Sequence, residues 1–114
     1  MNFLFFSFDF SGRDGPIPLD AQTCKTAKAL NSGSCDAIFI WWELKMDPEQ
    51  KITLSCAPNW AHPSPKDMAW RDHWMQAIYY PLSKVQVEQG EDLTVVSNHD
   101  EYSLLFDVSK EPAK

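Results

Sequence analysis

A cluster of ionisable and aromatic side chains lies near the middle of the sequence. Asp72 and His73 stand directly before Trp74, and the chain then enters an apolar stretch at 77–80. Aromatic rings with a few polar groups among them are typical of a pocket rim that orients a charged ligand. The same residues also suit a surface loop anchored to the core, because Trp and His serve in packing more often than in chemistry. Composition alone favours the surface loop.

Other kinds of chemistry lack the residues that they need. The glycines form no Gly-x-Gly motif after a strand, so no Rossmann-type nucleotide cradle is predicted. The sequence has no Gly-x-Ser-x-Gly elbow for a serine nucleophile. The candidate metal ligands are Cys56, His62, His73 and His99. Their spacing matches no zinc pattern, and we predict neither a metal site nor a cofactor site in this chain.

Size and charge limit the classes of protein to which the chain can belong. Its 114 residues support one small domain and leave no room for a second, catalytic one. The formal net charge is −6, and the sequence pI is about 4.8. Nucleic-acid binding needs clustered Lys and Arg side chains, which this sequence lacks. We therefore expect no nucleic-acid partner. The negative net charge would tolerate a basic partner better.

The cysteines and the first residues of the chain indicate the cellular compartment of the protein. Cys24, Cys35 and Cys56 are odd in number and lack the Cys-x-x-Cys spacing of zinc or redox sites, which favours reduced thiols in an intracellular protein. The apolar run at 1–6 is short, has no basic region, and is followed at once by Ser7. We therefore predict no signal peptide, no membrane span and no membrane partner.

Short strands are predicted to position the central cluster. Alternating apolar residues predict strands at 3–10, 35–46, 52–56, 77–82, 93–97 and 102–108. Turn residues at 47–50 join two of these strands into a hairpin, and further turns are predicted at 89–92 and 98–101. Residues 19–34 have poor apolar periodicity, and Asp20 is predicted to cap a short helix there.

A proline-rich loop interrupts the strands directly before the cluster. Pro58 and Pro63 remove backbone donors, which excludes a sheet in this region. Ser64 and Pro65 are typical of a helix start, because Ser accepts bonds from the first N–H groups and Pro fits the first helical position. A short helix is therefore predicted to lead into Trp70.

The predicted fold class is mainly β. We expect an antiparallel β-barrel, closed or incomplete, or a β-sandwich, with one loop and short-helix insertion around 58–75. The barrel domain is predicted to span 1–109, and residues 110–114 are predicted to be a disordered tail. An aromatic strand at the very start of a domain would leave an unprotected edge, so we also expect a missing segment upstream.

Four stretches of the sequence carry a resemblance to a known family. They are Trp-Trp-Glu-Leu at 41–44, Met-Asp-Pro-Glu at 46–49, Ala-Pro-Asn-Trp-Ala-His at 57–62 and Trp-Arg-Asp-His-Trp-Met-Gln at 70–76. Together they resemble the β-barrel domain of the protein arginine methyltransferases, and the last stretch is the most specific. Within the family, the chain is most similar to the first module of the monomethylating member that has two tandem modules.

The resemblance implies roles for three residues. In the family, a Thr-His-Trp loop of the barrel faces a pair of glutamates in a Rossmann domain that binds S-adenosylmethionine. Asp72, His73 and Trp74 correspond to that loop. The resemblance implies that His73 has a catalytic role, orienting a carboxylate of the absent domain, while Asp72 and Trp74 bind substrate. Asp72 replaces the usual Thr, which agrees with the monomethylating member.

The implied function is therefore that of a fragment. By resemblance, the chain is the substrate-side barrel of an arginine monomethyltransferase, inactive alone, with S-adenosylmethionine bound only in the complete enzyme. The implied partners are a Rossmann methyltransferase domain and Arg-rich protein substrates, and the implied locations are cytoplasm and nucleus. The alternative is a free-standing β module that binds a basic peptide or a partner protein through its tryptophans. Whether the chain is itself an enzyme stays open at this point.

Overall fold

The computed structural model of the chain describes residues 3–62 and 75–110. Within them the chain is almost entirely β, with nine strands and one short 3-10 helix, Asn59–Ala61. The strands are β1 (Ala21–Lys28), β2 (Gly33–Cys35), β3 (Ile38–Ile40), β4 (Glu43–Lys45), β5 (Thr53–Ser55), β6 (Ala77–Tyr79), β7 (Val85–Val87), β8 (Asp92–His99) and β9 (Leu104–Ser109). This part of the chain has no helix that is long and apolar enough to cross a membrane.

The chain divides into two compact units. The first unit comprises Met1–Ile38 and Tyr80–Lys114, and the second unit comprises Phe39–Tyr79. The first unit holds a three-stranded antiparallel sheet in the order β1-β8-β9, together with the pair β2 and β7. The second unit holds the hairpin of β4 and β5 and the pair β3 and β6.

One face of the three-stranded sheet carries much of the buried core of the first unit. The register places Thr23 opposite Ser97 and Ser97 opposite Phe106, so these three side chains point to the same face. Ser97 is fully buried, and its hydroxyl donates to the carbonyl oxygen of Leu105 at 3.2 Å. Phe106 and Val108 alternate along β9 and are both buried.

The sheet corrects the helix predicted within 19–34. All eight residues of β1 pair with β8, from Ala21 opposite His99 to Lys28 opposite Asp92. The predicted helix is therefore wrong. Its local signal was a single capping residue without apolar periodicity, and a cross-strand ladder of this length outweighs so weak a preference.

The N-terminal aromatic segment, 3–10, is not a strand either, and that prediction is also wrong. Its rings nevertheless pack on the first unit. Phe5 meets Phe106 edge to face, with ring centroids 5.4 Å apart, and Phe3 meets Phe5 in the same way at 6.0 Å. The aromatic residues therefore cover the sheet through their rings without adding a strand to it.

The single strand predicted at 35–46 is in fact the end of β2 followed by β3 and β4. Breaks at 36–37 and 41–42 separate them, and they pair in turn with β7, β6 and β5. The prediction of strand character was right, but the prediction of one continuous strand was wrong. Alternation of apolar residues shows which face of a strand is covered, and it carries no information about the partner strand.

The hairpin predicted around 47–50 is confirmed, since β4 and β5 pair antiparallel on either side of the turn. The Asp47 carboxylate organises the turn by accepting the N–H groups of Lys51 at 3.1 Å and Ile52 at 2.8 Å. The bond from Ile52 is the main reason that the pKa of Asp47 lies below its ordinary value. Gln50 completes the turn with a positive φ of 57°.

The later strands agree with the sequence in type and differ in their bounds. β8 runs on to His99, beyond the predicted end, so the following turn spans 100–103 instead of 98–101. The Asp100 carboxylate accepts the N–H groups of Tyr102 and Ser103, both at 2.7 Å.

The observed class is mainly β with antiparallel sheets, as predicted. Across 3–62 and 75–110, strand pairing forms one three-stranded and three two-stranded sheets and closes no ring, so the barrel stays a prediction. The 3-10 helix lies in the predicted proline-rich loop. The helix predicted to lead into Trp70 and the tail predicted at 110–114 lie wholly or mostly outside the described residues. The domain bounds 1–109 also stay a prediction.

Candidate functional site

The residues predicted to form the site, Asp72, His73 and Trp74, lie outside the described residues. The structure describes the chain on either side of them, as far as His62 and again from Met75. Both flanks belong to the second unit.

On the N-terminal side, Cys56, the residue that follows the β4–β5 hairpin, is held by hydrogen bonds. Cys56 follows β5 directly and is only 8% exposed. Its N–H donates to the carbonyl oxygen of Trp42 at 3.3 Å, and its Sγ lies 3.4 Å from both the nitrogen and the oxygen of Trp42. Ala57 is also buried, and its N–H donates to the hydroxyl of Ser55 at 3.1 Å. The flank before the site is therefore held by one backbone–backbone hydrogen bond and by further bonds to the Cys56 and Ser55 side chains.

On the C-terminal side, Gln76 forms a hydrogen bond with Cys56. Its side-chain Nε2 donates to the carbonyl oxygen of Cys56 at 3.1 Å. The next residue, Ala77, begins β6, which pairs with β3. The two ends of the intervening segment, 57–75, therefore meet at one hydrogen bond.

Two tryptophans of the second unit form an aromatic pair. Trp41 is half-buried, and Trp60, on the 3-10 helix, is 70% exposed. Their rings meet edge to face, with centroids 5.7 Å apart. Of the tryptophans predicted as an interaction surface, these two are thus brought together, whereas Trp70 and Trp74 lie outside the described residues. An exposed Trp face of this kind can stack on a cationic side chain.

The candidate metal ligands are not gathered into a metal site in the described part of the chain. Groups of three or more His, Cys, Asp or Glu side chains with suitable geometry are absent from 3–62 and 75–110. His99 lies against two aromatic rings, with its ring centroid 4.7 Å from that of Phe6 and 5.1 Å from that of Phe8. All three cysteines are free thiols, and burial, with the nearby charge of Asp36, raises the pKa of Cys35.

Neither the glycines nor the cavity of the first unit fits S-adenosylmethionine, the cofactor that the resemblance implies for the complete enzyme. A Cβ added at any of the four glycines would meet open space, so none of them forms a close cradle. The first unit has an open cavity of about 420 Å³. Apolar side chains such as Phe3, Leu93 and Val95 line it, and it has no carboxylate to bind a ribose.

The family of the chain follows from its match to known proteins. The model of the arginine methyltransferase oligomerization subdomain matches residues 4–109. The chain belongs to the protein arginine methyltransferase family. The resemblance carried by 41–49, 57–62 and 70–76 is thereby confirmed.

Curated relatives of this family match nearly the whole chain. Protein arginine N-methyltransferase 7 of Drosophila willistoni is 42% identical over 124 residues and covers 96% of the chain. The proteins of the same name from Aedes aegypti and Caenorhabditis briggsae are each 40% identical and cover 94% and 96% of it. The chain spans only 16–18% of the length of these relatives. It corresponds to a small part of each.

Sequence reasoning missed two features of the flanks. The motif at 70–76 ends at Gln76, and nothing in it indicates that this side chain reaches Cys56. The contact between Trp41 and Trp60 was likewise not predicted. The sequence carries no local signal for either contact, because each joins positions that are far apart along the chain.

Proposed function

We propose that the chain is the substrate-side β-barrel portion of an S-adenosylmethionine-dependent protein arginine N-methyltransferase that monomethylates arginine. In this proposal it is inactive alone, because a Rossmann domain supplies the cofactor site and the catalytic carboxylates. The observation that carries the proposal is the family match across 4–109, together with relatives named protein arginine N-methyltransferase 7.

Arginine methylation requires a site that binds a cation and directs one nitrogen at a methyl donor. The guanidinium group stays protonated in proteins, so carboxylates are the natural clamp, and they hold it in a bidentate geometry. In the complete enzyme, His73 holds one of these carboxylates in place. Trp74 forms a wall of the pocket against the arginine side chain.

Asp72 accounts for the proposed restriction to one methyl group. Its carboxylate adds negative charge beside the guanidinium and narrows the space that a second methyl group would need. The family pattern has Thr at this position. Its side chain is uncharged and leaves more space for the transfer of a second methyl group. Replacement of Asp72 is therefore the point at which product specificity would change.

The remaining partners and location follow from the same proposal. The net charge of −6 favours encounter with Arg-rich substrate segments, because opposite charges raise the rate of association. The Rossmann domain of the same enzyme is the second partner. Cytoplasm and nucleus are the locations that the family resemblance implies.

A methyl-transfer assay tests the proposal. The complete enzyme that contains this chain is expected to move a radiolabelled methyl group from S-adenosylmethionine to an Arg-Gly peptide, whereas the 114-residue chain alone is not. His73→Gln in the complete enzyme is expected to lower kcat by about 10²-fold or more, as removal of a group that orients a catalytic partner does.

His99→Gln is the matched control, because it makes the same chemical change far along the chain, beside Phe6 and Phe8. Its turnover per folded molecule is expected to stay within about twofold of the unmodified enzyme. Methyl transfer by the chain alone would refute the proposed dependence on a Rossmann domain. Tight binding of the peptide by the chain without any transfer in the complete protein would favour the interaction module instead.

A further inference from the structure

The strand β1 lies at the edge of the three-stranded sheet of the first unit. The strand order is β1-β8-β9, so β1 pairs with β8 on one side and, within the described residues, with no strand on its other side. It is eight residues long and contains neither Pro nor Gly. An edge strand of this length presents a row of backbone N–H and C=O groups to which a further strand can bind.

The hydrogen bonds beside β1 show which of its backbone groups face outward. Directly after the strand, the N–H of Ala29 donates to the carbonyl oxygen of Glu91 at 2.8 Å, so Ala29 occupies a hydrogen-bonded position. Such positions alternate along an antiparallel pair. The odd-numbered residues of β1 therefore bond to β8. The residues whose N–H and C=O groups point away from β8 are the even-numbered ones, Gln22, Cys24, Thr26 and Lys28.

The other side of β8 gives the same alternation independently. The N–H of Asp100 donates to the carbonyl oxygen of Ser103 at 3.1 Å, so the even-numbered residues of β8 bond to β9 and its odd-numbered residues bond to β1. The register places odd-numbered residues of β8 opposite odd-numbered residues of β1. The outward groups of β1 form no backbone hydrogen bond in the part of the chain that the structure describes.

The charges along β1 are complementary to those of a second copy of the same strand. If two copies pair antiparallel about Cys24, even-numbered residues meet even-numbered residues, as their outward backbone groups require. In this register Asp20, which directly precedes the strand, lies opposite Lys28 of the second copy, and symmetry produces this pair twice. Opposite charges across a strand pair are stabilising. A register centred on Lys25 would instead place two lysines opposite each other, which is destabilising.

We propose that the protein self-associates through β1, whose outer edge pairs antiparallel with β1 of a second copy, centred on Cys24. The pairing joins two three-stranded sheets into one six-stranded sheet with twofold symmetry. An interface of one strand from each copy is small, so the dimer forms at micromolar concentrations. The inference is independent of the proposed function, because it uses neither the cofactor nor the segment predicted to bind arginine.

A proline at an outward-facing position of β1 tests the pairing in the complete protein that contains this chain. Thr26→Pro removes an outward N–H and leaves the bonds to β8 in place. Thr26→Ala is the matched control, because both variants lose the hydroxyl that lies 3.0 Å from the hydroxyl of Thr94. In analytical ultracentrifugation, Thr26→Pro is expected to raise the dissociation constant of the dimer by about tenfold or more, and Thr26→Ala to leave it within about twofold.

A charge reversal tests the register without changing the backbone. Lys28→Glu places like charges opposite each other in both symmetric pairs, so the dissociation constant should rise, and the rise should shrink at high salt. Combining Lys28→Glu with Asp20→Lys restores opposite charges across the pair and should restore association. Lys28 also pairs with Asp92 of its own chain at 2.9 Å, so the melting temperature of each variant is measured as the control for folding.

Oxidation of Cys24 reports the centre of the pairing directly. The Cα atoms of a hydrogen-bonded antiparallel pair lie about 5.5 Å apart, within the range of about 4.4–6.8 Å that a disulfide spans. After mild oxidation with diamide, peptide mapping should find a Cys24–Cys24 link between copies, and Thr26→Pro should greatly reduce it. A monomer at every concentration would overturn the inference. So would a dimer without this link that Thr26→Pro and Thr26→Ala affect equally. The methyl-transfer assay tests the proposed function separately, so failure of one does not imply failure of the other.

Discussion

At the scale of single residues, carboxylates organise the turns that this chain depends on. Asp100 receives three hydrogen bonds, from the N–H groups of Tyr102 and Ser103 and from the Ser103 hydroxyl. These bonds favour the charged form, and the bond from Tyr102 is the main reason that the pKa of Asp100 lies below its ordinary value of 3.8. The turn between β8 and β9 therefore prefers the ionised carboxylate.

Acid should weaken this turn. Because the folded pKa is depressed, the stabilising contribution is present above pH 3.8 and is lost as the pH falls through the lower, folded value. Asp100→Asn should lower the melting temperature at neutral pH and reduce its dependence on pH in acid. Thermal unfolding followed by circular dichroism across this range measures both effects.

Asp20→Asn is the control for that experiment, because the Asp20 side chain is exposed and accepts no hydrogen bond within the described residues. It makes the same change in charge without touching a turn. If both variants changed the melting temperature in acid by the same amount, the effect would come from net charge and not from the hydrogen bonds of Asp100.

At the scale of elements, the N-terminal aromatic segment and β9 stabilise each other through one ring contact. Phe106 is 6% exposed, and Phe5 packs against it edge to face with ring centroids 5.4 Å apart. Aromatic pairs of this geometry contribute about 0.5–1.5 kcal/mol beyond the area that they bury. The segment therefore belongs to the folded first unit although it forms no strand.

A double-mutant cycle measures this coupling. Phe5→Leu and Phe106→Leu should each destabilise the protein, and the double variant should lose less than the sum by about 0.5–1.5 kcal/mol. Phe10→Leu serves as the control partner, because Phe10 is exposed and lies beyond the packed rings. Strict additivity of Phe5→Leu and Phe106→Leu in urea unfolding would show that the contact carries no coupling.

At the scale of the whole molecule, the part of the chain that the structure describes has few buried apolar side chains. Within the described residues the buried apolar side chains are Cys56, Ala57, Val87, Phe106 and Val108. Large apolar side chains are meanwhile exposed, among them Trp60 and Leu82. Exposed apolar side chains of this size favour association with another surface.

The isolated chain is therefore expected to self-associate. Its mean mass in static light scattering should rise above 13.1 kDa as the concentration is raised. The variant with Trp60→Ser and Leu82→Ser should associate less while keeping the same β signal in circular dichroism. A concentration-independent monomer that unfolds in one cooperative step would contradict this expectation and favour the free-standing interaction module.

The local sequence predicted the features that local physical chemistry controls. The turn at 47–50 follows from Asp47 and Pro48, whose side chains favour a turn in any context, and the later strands follow from alternation with period two. The mainly β class follows from the sum of such signals. The family was also readable from sequence through the resemblance at 41–49, 57–62 and 70–76, which the family match across 4–109 confirms.

The local sequence does not predict which strands pair with each other. β1 has little periodicity and is held by its ladder with β8, while the run at 35–46 divides among three partners that lie far away along the chain. Phe5 covers a sheet, and Gln76 reaches Cys56, through contacts that join distant positions. Such contacts depend on where the backbone brings the two groups together. A residue pattern specifies which face of a strand is apolar and where the chain turns. Which strand edge pairs with which other edge depends on the packing of the entire chain.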